Sequence, residues 1–279
     1  MRCRHCRRPL PDTERTKQPL FKHPRFLLLR SRFADEPLPR WGVVEVLTLF
    51  GIFFFGAWSI RQQEFGFAWI EWLRQNFFIF TREPLLQVYV HIFSETFVLK
   101  LGTVLFILFY LWARGLPVAR SLGLARPAQN YSARFLTVFF VLCAAVAWWE
   151  GLDPLVPDLP TPLFFRQSAT LGNVLAVLSL AVIAPVTEEI IFRGFVYPAL
   201  TPRFGRWGAV LLTSLMFTAA HAPQMNGAYG SLGVIFIVGT ILTWQRALTG
   251  STLFVIGLHA LYNASLTAAG LIRFCFYGF

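Results

Sequence analysis

Charged residues are scarce in this chain: only 14% of its 279 residues are Asp, Glu, Lys or Arg, against about a quarter in an average soluble domain. Hydrophobic residues make up 56%, and several of their runs approach the roughly 20 residues with which a helix crosses a bilayer. A soluble fold this apolar would expose large hydrophobic patches. The composition therefore excludes an ordinary soluble domain and predicts membrane helices, because lipid offers exposed backbone groups no hydrogen-bond partners.

Cysteine is also rare, and the four cysteines show no disulfide framework. Cys3 and Cys6 form a CxxC that resembles half of a zinc ribbon, but the second cysteine pair is absent. We therefore predict at most a weak metal site in this tail. No secretory signal peptide is evident, since the first apolar run begins near Trp41 and is as long as a full span.

Acidic residues are outnumbered, with 14 against 25 basic ones and a formal charge of +11. Residues 1–40 hold eleven of the basic and four of the acidic residues, a net +7. Such a tail could suggest nucleic acid. Beside apolar spans it better fits a cytoplasmic segment near anionic lipid, so we predict membrane lipid and no nucleic acid as partner.

The apolar runs predict an all-α fold, a polytopic transmembrane helix bundle of about seven spans. We place the first span near residues 41–60. The second begins between Pro84 and Val98 and ends near residue 113, and the other five lie near 135–150, 171–199, 207–222, 231–248 and 252–272. Three regions follow from them: a basic cytoplasmic tail at 1–40, N-terminal transmembrane helices with an interfacial segment at 41–168, and a core at 169–272. With seven spans the Arg-rich loops share one side, which predicts a cytoplasmic N-terminus and an external C-terminus.

Three polar motifs interrupt the apolar helices of the core. They read Glu188-Glu189-x-x-x-Arg193, Phe217-x-x-x-His221 and His259-x-x-x-Asn263. Ionisable groups inside a membrane are costly, so each is a functional candidate. At a rise of about 1.5 Å per residue, all three motifs fall at a similar depth from the predicted cytoplasmic turns.

The spacing within each motif separates its side chains by role. Adjacent helix positions are about 100° apart, so Glu188 and Glu189 face different ways. Glu189 and Arg193 stand at i, i+4 and can form an ion pair, which leaves Glu188 to face a cavity with another partner. Alone, each motif has an ordinary structural explanation, such as a helix–helix hydrogen bond. Three motifs at matched depth instead indicate a functional site.

The order and spacing of these motifs resemble those of the CAAX protease and bacteriocin-processing (CPBP, or Abi) family of intramembrane proteases. The resemblance covers roughly residues 169–268. It implies an endopeptidase in which Glu188 and His221 activate a water, while His259 and Asn263 stabilise the oxyanion. Glu189 and Arg193 would support the site. The substrate would be a membrane-associated peptide or protein, which could be prenylated.

Metal dependence is a separate question, because Glu188, His221 and His259 could bind zinc. The sequence lacks HExxH, the commonest zinc-protease helix signature. We therefore predict a mechanism without cofactor or metal, with zinc on those three residues as the alternative.

Two other functions compete with proteolysis. A catalytically silent immunity factor or scaffold would keep the motifs for packing alone, and a proton-coupled transporter would use buried Glu and His as a relay. In each case the predicted location is an integral, multi-pass position in a membrane, most simply a bacterial plasma (inner) membrane.

Overall fold

The computed structural model describes residues 39–61, 100–127, 135–139, 141–142, 177–222 and 229–277. Every regular element within these ranges is helical, which confirms the all-α prediction for the described part of the chain. The tail with Cys3 and Cys6, most of the third predicted span and the loop at 151–168 lie outside the described residues.

Three of the described helices lie in the N-terminal half. They are α1 (Val43–Arg61), α2 (Gly102–Ala113) and α3 (Val118–Ser121). Helix α2 ends at Ala113 with Arg114 as its C-cap residue, and Gly115 follows with a φ of 65°. Glycine adopts this left-handed conformation without the steric cost that a β-carbon brings, so it suits the position directly after a helix.

The C-terminal half holds the predicted core. Its helices are α4 (Ala184–Glu189), α5 (Tyr197–His221), α6 (Tyr229–Thr249) and α7 (Thr252–Tyr277). Two wider π-helical segments, Ser179–Ile183 and Ile190–Val196, flank α4 and make one continuous helical stretch into α5. The predicted boundaries of the last two spans agree with α6 and α7 to within a few residues.

A break at Gly205 divides α5 between the predicted spans 171–199 and 207–222. Gly205 has φ 69° and ψ 170°, which are not helical values. A straight helix would carry residues 188 and 221 about 50 Å apart, yet side-chain atoms of Glu188 and His221 lie 3.8 Å apart. The chain therefore reverses direction between them, and Gly205 permits this because it has no β-carbon.

The number of membrane spans stays a prediction. Among the described residues, one helix, Tyr229–Thr249, is long and apolar enough by itself to cross a bilayer. Three further helical stretches are apolar over shorter lengths: Val43–Ile52, Gly102–Ala113 and Thr252–Ala268. These observations agree with a membrane protein at a coarse level and leave seven spans unconfirmed.

The helices enclose a buried apolar core, as in a soluble domain, but several large apolar side chains and several charged ones are placed differently. Large apolar side chains point outward, among them Val44 (74% exposed), Phe55 (68%) and Trp112 (70%). Charged side chains lie inside, including Glu189 and Arg193 at 0% exposure. Apolar outer faces suit lipid, whereas buried charges at the centre of a helix bundle mark a functional interior.

Side-chain and backbone hydrogen bonds tie the segment after α3 to the turn between α6 and α7. The Thr252 backbone N–H donates to the Gly123 carbonyl at 2.8 Å, and its hydroxyl donates to the Leu122 carbonyl at 2.6 Å. The buried Arg246 donates from Nε to the Thr252 hydroxyl at 2.9 Å. This clamp, defined by Gly123, Arg246 and Thr252, joins the N-terminal part of the chain to the core.

Candidate active site

The ion pair predicted between Glu189 and Arg193 is present and fully buried. Arg193 Nη1 donates to Glu189 Oε1 at 2.8 Å, and neither side chain is exposed. The remaining guanidinium donors reach α6: Nε donates to the Thr243 hydroxyl at 3.1 Å and Nη2 to the Gly239 carbonyl at 2.9 Å. Arg193 thus fastens the π-helical segment Ile190–Val196 to α6.

His259 is held by the same carboxylate. Its Nδ1 lies 2.7 Å from Glu189 Oε1, and since a carboxylate accepts hydrogen bonds, Nδ1 carries the donated proton. The ring is buried on α7. Nε2 can donate to an oxyanion as well only when the ring carries a second proton. Glu189 then provides the negative charge beside the positively charged ring.

Phe217 forms the aromatic wall of this cluster. Its ring lies beneath the Arg193 guanidinium carbon at 4.5 Å and has its centroid 4.5 Å from that of His221. The His259 ring lies 6.3 Å away. The first residue of the Phe-x-x-x-His motif therefore touches groups from all three motifs.

Glu188 faces away from the Glu189–Arg193 pair, as the 100° rotation predicts. Its Oε1 accepts a hydrogen bond from Lys100 Nζ, and its side chain is 5% exposed. Lys100 lies two residues before the start of α2, and its side chain is 16% exposed. The partner of Glu188, which the sequence left open, is thus a lysine from the N-terminal half of the chain.

His221 completes the pair with Glu188. Its Nδ1 lies 2.8 Å from the Phe217 carbonyl oxygen; a carbonyl can only accept, so Nδ1 donates. In the neutral ring Nε2 is then the unprotonated nitrogen. This Nε2 lies 3.8 Å from Glu188 Oε1, so an unprotonated nitrogen and a carboxylate oxygen face each other at the site.

Asn263 lies one helical turn beyond His259 on α7. Its Nδ2 donates to the Leu180 carbonyl at 2.9 Å, in the π-helical segment Ser179–Ile183. An amide nitrogen has two hydrogens, so this bond leaves one for another acceptor. The predicted role of Asn263 as an oxyanion donor stays a prediction.

The π-helical segments also change which backbone groups are available. Widening a helix frees carbonyl groups from their usual partners, and such segments are frequent at functional sites. The Phe195 carbonyl in Ile190–Val196 accepts a hydrogen bond at 2.9 Å from the Trp41 indole, whose ring stacks on Phe195. The segment that follows Glu189 is thereby fixed against the start of α1.

The contacts of Glu188, His221 and His259 do not decide the alternative zinc site, because a metal-bound histidine usually donates its other ring N–H to a carboxylate, as His259 Nδ1 does to Glu189. The Lys100 ammonium occupies Glu188 Oε1, and His259 Nδ1 is engaged with Glu189. In the part of the chain that the structure describes, no three His, Cys, Asp or Glu side chains are grouped to hold a metal. Metal dependence itself stays a prediction for experiment.

Sequence reasoning identified the three motifs but missed Lys100. A signal for it exists, because Lys100 is the one charged residue between Thr96 and Ala113 in an otherwise apolar run. A lone charge in such a run is a functional candidate. The contacts of Thr243 and Gly239 with Arg193 carry no comparable signal, since small and hydroxyl residues are common in membrane helices.

The fold is that of a helical protein with Glu and His side chains buried between its helices, and the family comparison makes it a membrane protein of a protease-like family. Residues 170–265 match the family described as type II CAAX prenyl endopeptidase Rce1-like. A similar protein is an uncharacterized 24.3 kDa protein of Escherichia coli, 30% identical over 171 residues, which are 60% of this chain and 75% of the relative. The chain belongs to the Rce1-like family. No solved structure matches it.

Proposed function

We propose that this protein is an intramembrane endopeptidase that cleaves a membrane-associated peptide or protein with water activated by Glu188 and His221. The observation that carries the proposal is the facing pair of Glu188 Oε1 and His221 Nε2, 3.8 Å apart and largely buried. A water with hydrogen bonds of roughly 2.8 Å to both atoms fits this spacing.

The chemistry follows from the roles of these groups. The Glu188–His221 pair takes a proton from the water as the water oxygen attacks the scissile carbonyl carbon. The resulting tetrahedral oxyanion is stabilised by donors from His259 and Asn263 on α7. When the C–N bond breaks, the proton held by the pair passes to the leaving amine, which returns the site to its starting state.

The substrate class rests on the family and on the position of the site. The family description names prenyl CAAX endopeptidases, which supports a membrane-anchored peptide, prenylated or not, as substrate. Buried charges among helices with apolar outer faces suit a substrate delivered within the bilayer. The location we propose is a bacterial inner membrane, with the N-terminus in the cytoplasm.

The decisive experiment compares the wild type with Glu188→Gln on a membrane-embedded test peptide offered with and without an isoprenoid. Glutamine keeps the shape but cannot take a proton from water, so cleavage should fall by about 100- to 10,000-fold. Mass spectrometry of the products measures it. Equal cleavage by both proteins would overturn the assignment of Glu188.

Two further arms complete this test. Exhaustive chelation should leave wild-type cleavage unchanged, whereas loss of activity restored by zinc would establish a metal enzyme. A well-folded wild type that cleaves none of the peptides would instead favour the silent scaffold, for which buried and mutually satisfied side chains suffice.

A further inference from the structure

The buried charges of the site are balanced by cations from two different parts of the chain. Glu189 is paired with Arg193, four residues further along the same helical stretch. Glu188 is paired with Lys100, which lies 88 positions earlier in the sequence. The family match at residues 170–265 includes both carboxylates and Arg193 but not Lys100.

A buried carboxylate without a counter-charge takes up a proton, because burial disfavours the charged form. A protonated Glu188 could not accept a proton from water. The three nitrogens of Arg193 donate to Glu189, Thr243 and Gly239, whereas the cation that hydrogen-bonds Glu188 is Lys100.

We infer that Lys100 is a positioning residue of the endopeptidase site: its ammonium keeps Glu188 ionised and holds Oε1 beside His221 Nε2. The inference rests on the proposed function and deepens it. Lys100 and His221 both approach the same oxygen, Glu188 Oε1. The lysine therefore fixes the oxygen that faces the imidazole.

The variants separate charge from hydrogen bonding. Lys100→Arg keeps the positive charge, Lys100→Gln keeps a hydrogen-bond donor without charge, and Lys100→Met keeps only length. Arg114→Met is the matched control, because it removes one positive charge from an exposed position just after α2. Peptide cleavage and the melting temperature are measured for each purified protein in detergent.

We expect kcat to fall at least about tenfold in Lys100→Met and Lys100→Gln, with KM within about twofold, because the base is lost and substrate contacts remain. Lys100→Arg should retain activity within a few fold of the wild type, and the control should match the wild type. If Lys100 had a merely structural role, its variants would have a lower melting temperature but would not combine a lower kcat with an unchanged KM. If Lys100→Met does not fold, Lys100→Gln decides the question.

An infrared measurement tests the inference without relying on turnover. Difference spectra between Lys100→Met and wild type should show a new protonated-carboxyl band, which is absent when Lys100→Met/Glu188→Gln is compared with Glu188→Gln. Full kcat in Lys100→Gln, or an ionised Glu188 in Lys100→Met, overturns the role of Lys100. Activity that survives Glu188→Gln defeats the proposed function instead, and the infrared band still reports whether Lys100 keeps Glu188 charged.

Discussion

At the residue scale, Glu189 joins two helical elements through a single oxygen atom. Its Oε1 accepts hydrogen bonds from Arg193 on its own stretch and from His259 on α7. Its Oε2 is buried and has no hydrogen-bond partner within the residues that the structure describes. Glu189 therefore orients a histidine and balances an arginine, while the neighbouring Glu188 faces His221.

Replacement of Glu189 by glutamine should destabilise the protein and remove any activity. The change leaves Arg193 as a buried charge without its carboxylate, and breaking such a pair typically costs about 3–5 kcal/mol in soluble proteins. We expect a clear fall in melting temperature in detergent and a lower folded yield. The control is Arg203→Gln, which alters an exposed charge beyond this cluster. An unchanged melting temperature would show that the remaining partners of Arg193 suffice.

At the scale of elements, α5 and α6 approach closely where Gly239 meets Phe217. A β-carbon built at Gly239 would lie 3.0 Å from Phe217 Cδ1. Phe217 is 3% exposed and packs edge-on against Phe192. The aromatic wall of the site therefore depends on the absence of a side chain at residue 239.

Gly239→Ala should lower both stability and cleavage, since overpacking a core typically costs about 1–3 kcal/mol and Phe217 carries the His221 ring contact. Gly233→Ala is the matched control on the same helix, where a β-carbon meets no atom within 4 Å. There the change should stabilise by about 0.5–1 kcal/mol, because alanine favours a helix over glycine. Melting temperatures of both variants check this; a stabilised Gly239→Ala would contradict the close approach.

The clamp of Gly123, Arg246 and Thr252 makes a second prediction at this scale. Gly123 has φ +64°, and a β-carbon there would lie 2.6 Å from Arg246 Nη2. Gly115 has φ +65° with no atom within 4 Å of such a β-carbon. Both Gly→Ala variants carry the strain of a left-handed residue, about 1–2 kcal/mol. The difference between their stabilities therefore measures the cost of displacing the buried Arg246.

Gly123→Ala should therefore melt well below Gly115→Ala in a thermal-shift assay. The added loss is expected to be about 1–3 kcal/mol, the usual cost of overpacking. Equal melting temperatures would mean that Arg246 moves aside freely and that the clamp contributes little to the junction with the core.

At the scale of the whole molecule, the prediction concerns orientation in the membrane. Basic residues concentrate in the N-terminal tail and in the loops near residues 120 and 204, and such loops stay on the cytoplasmic side. Reporter fusions at residues 120, 160, 204 and 226 should alternate inside, outside, inside, outside. An external report at 204 would overturn the depth that we assign to the site.

Helical class, the main helix boundaries of the core and the polar motifs were all predictable from the sequence. Long apolar runs admit only helices in lipid, and the i, i+4 spacing of Glu189 and Arg193 is sufficient for their ion pair. The break at Gly205 and the orientation of Glu188 away from that pair follow equally from local patterns. These features depend on neighbours within a few residues, which is the range over which a helix relates sequence to geometry.

The tertiary structure alone decided which distant groups meet. Lys100 and Glu188 are 88 positions apart, and nothing in either local pattern specifies the other. Likewise His259 bonds Glu189, 70 positions away, and Asn263 bonds the Leu180 carbonyl. Periodicity predicts which face of a helix a side chain occupies, but the rotation and height of one helix against another are set by packing of all of them together. The charge balance of the site therefore emerges only when the helices are assembled.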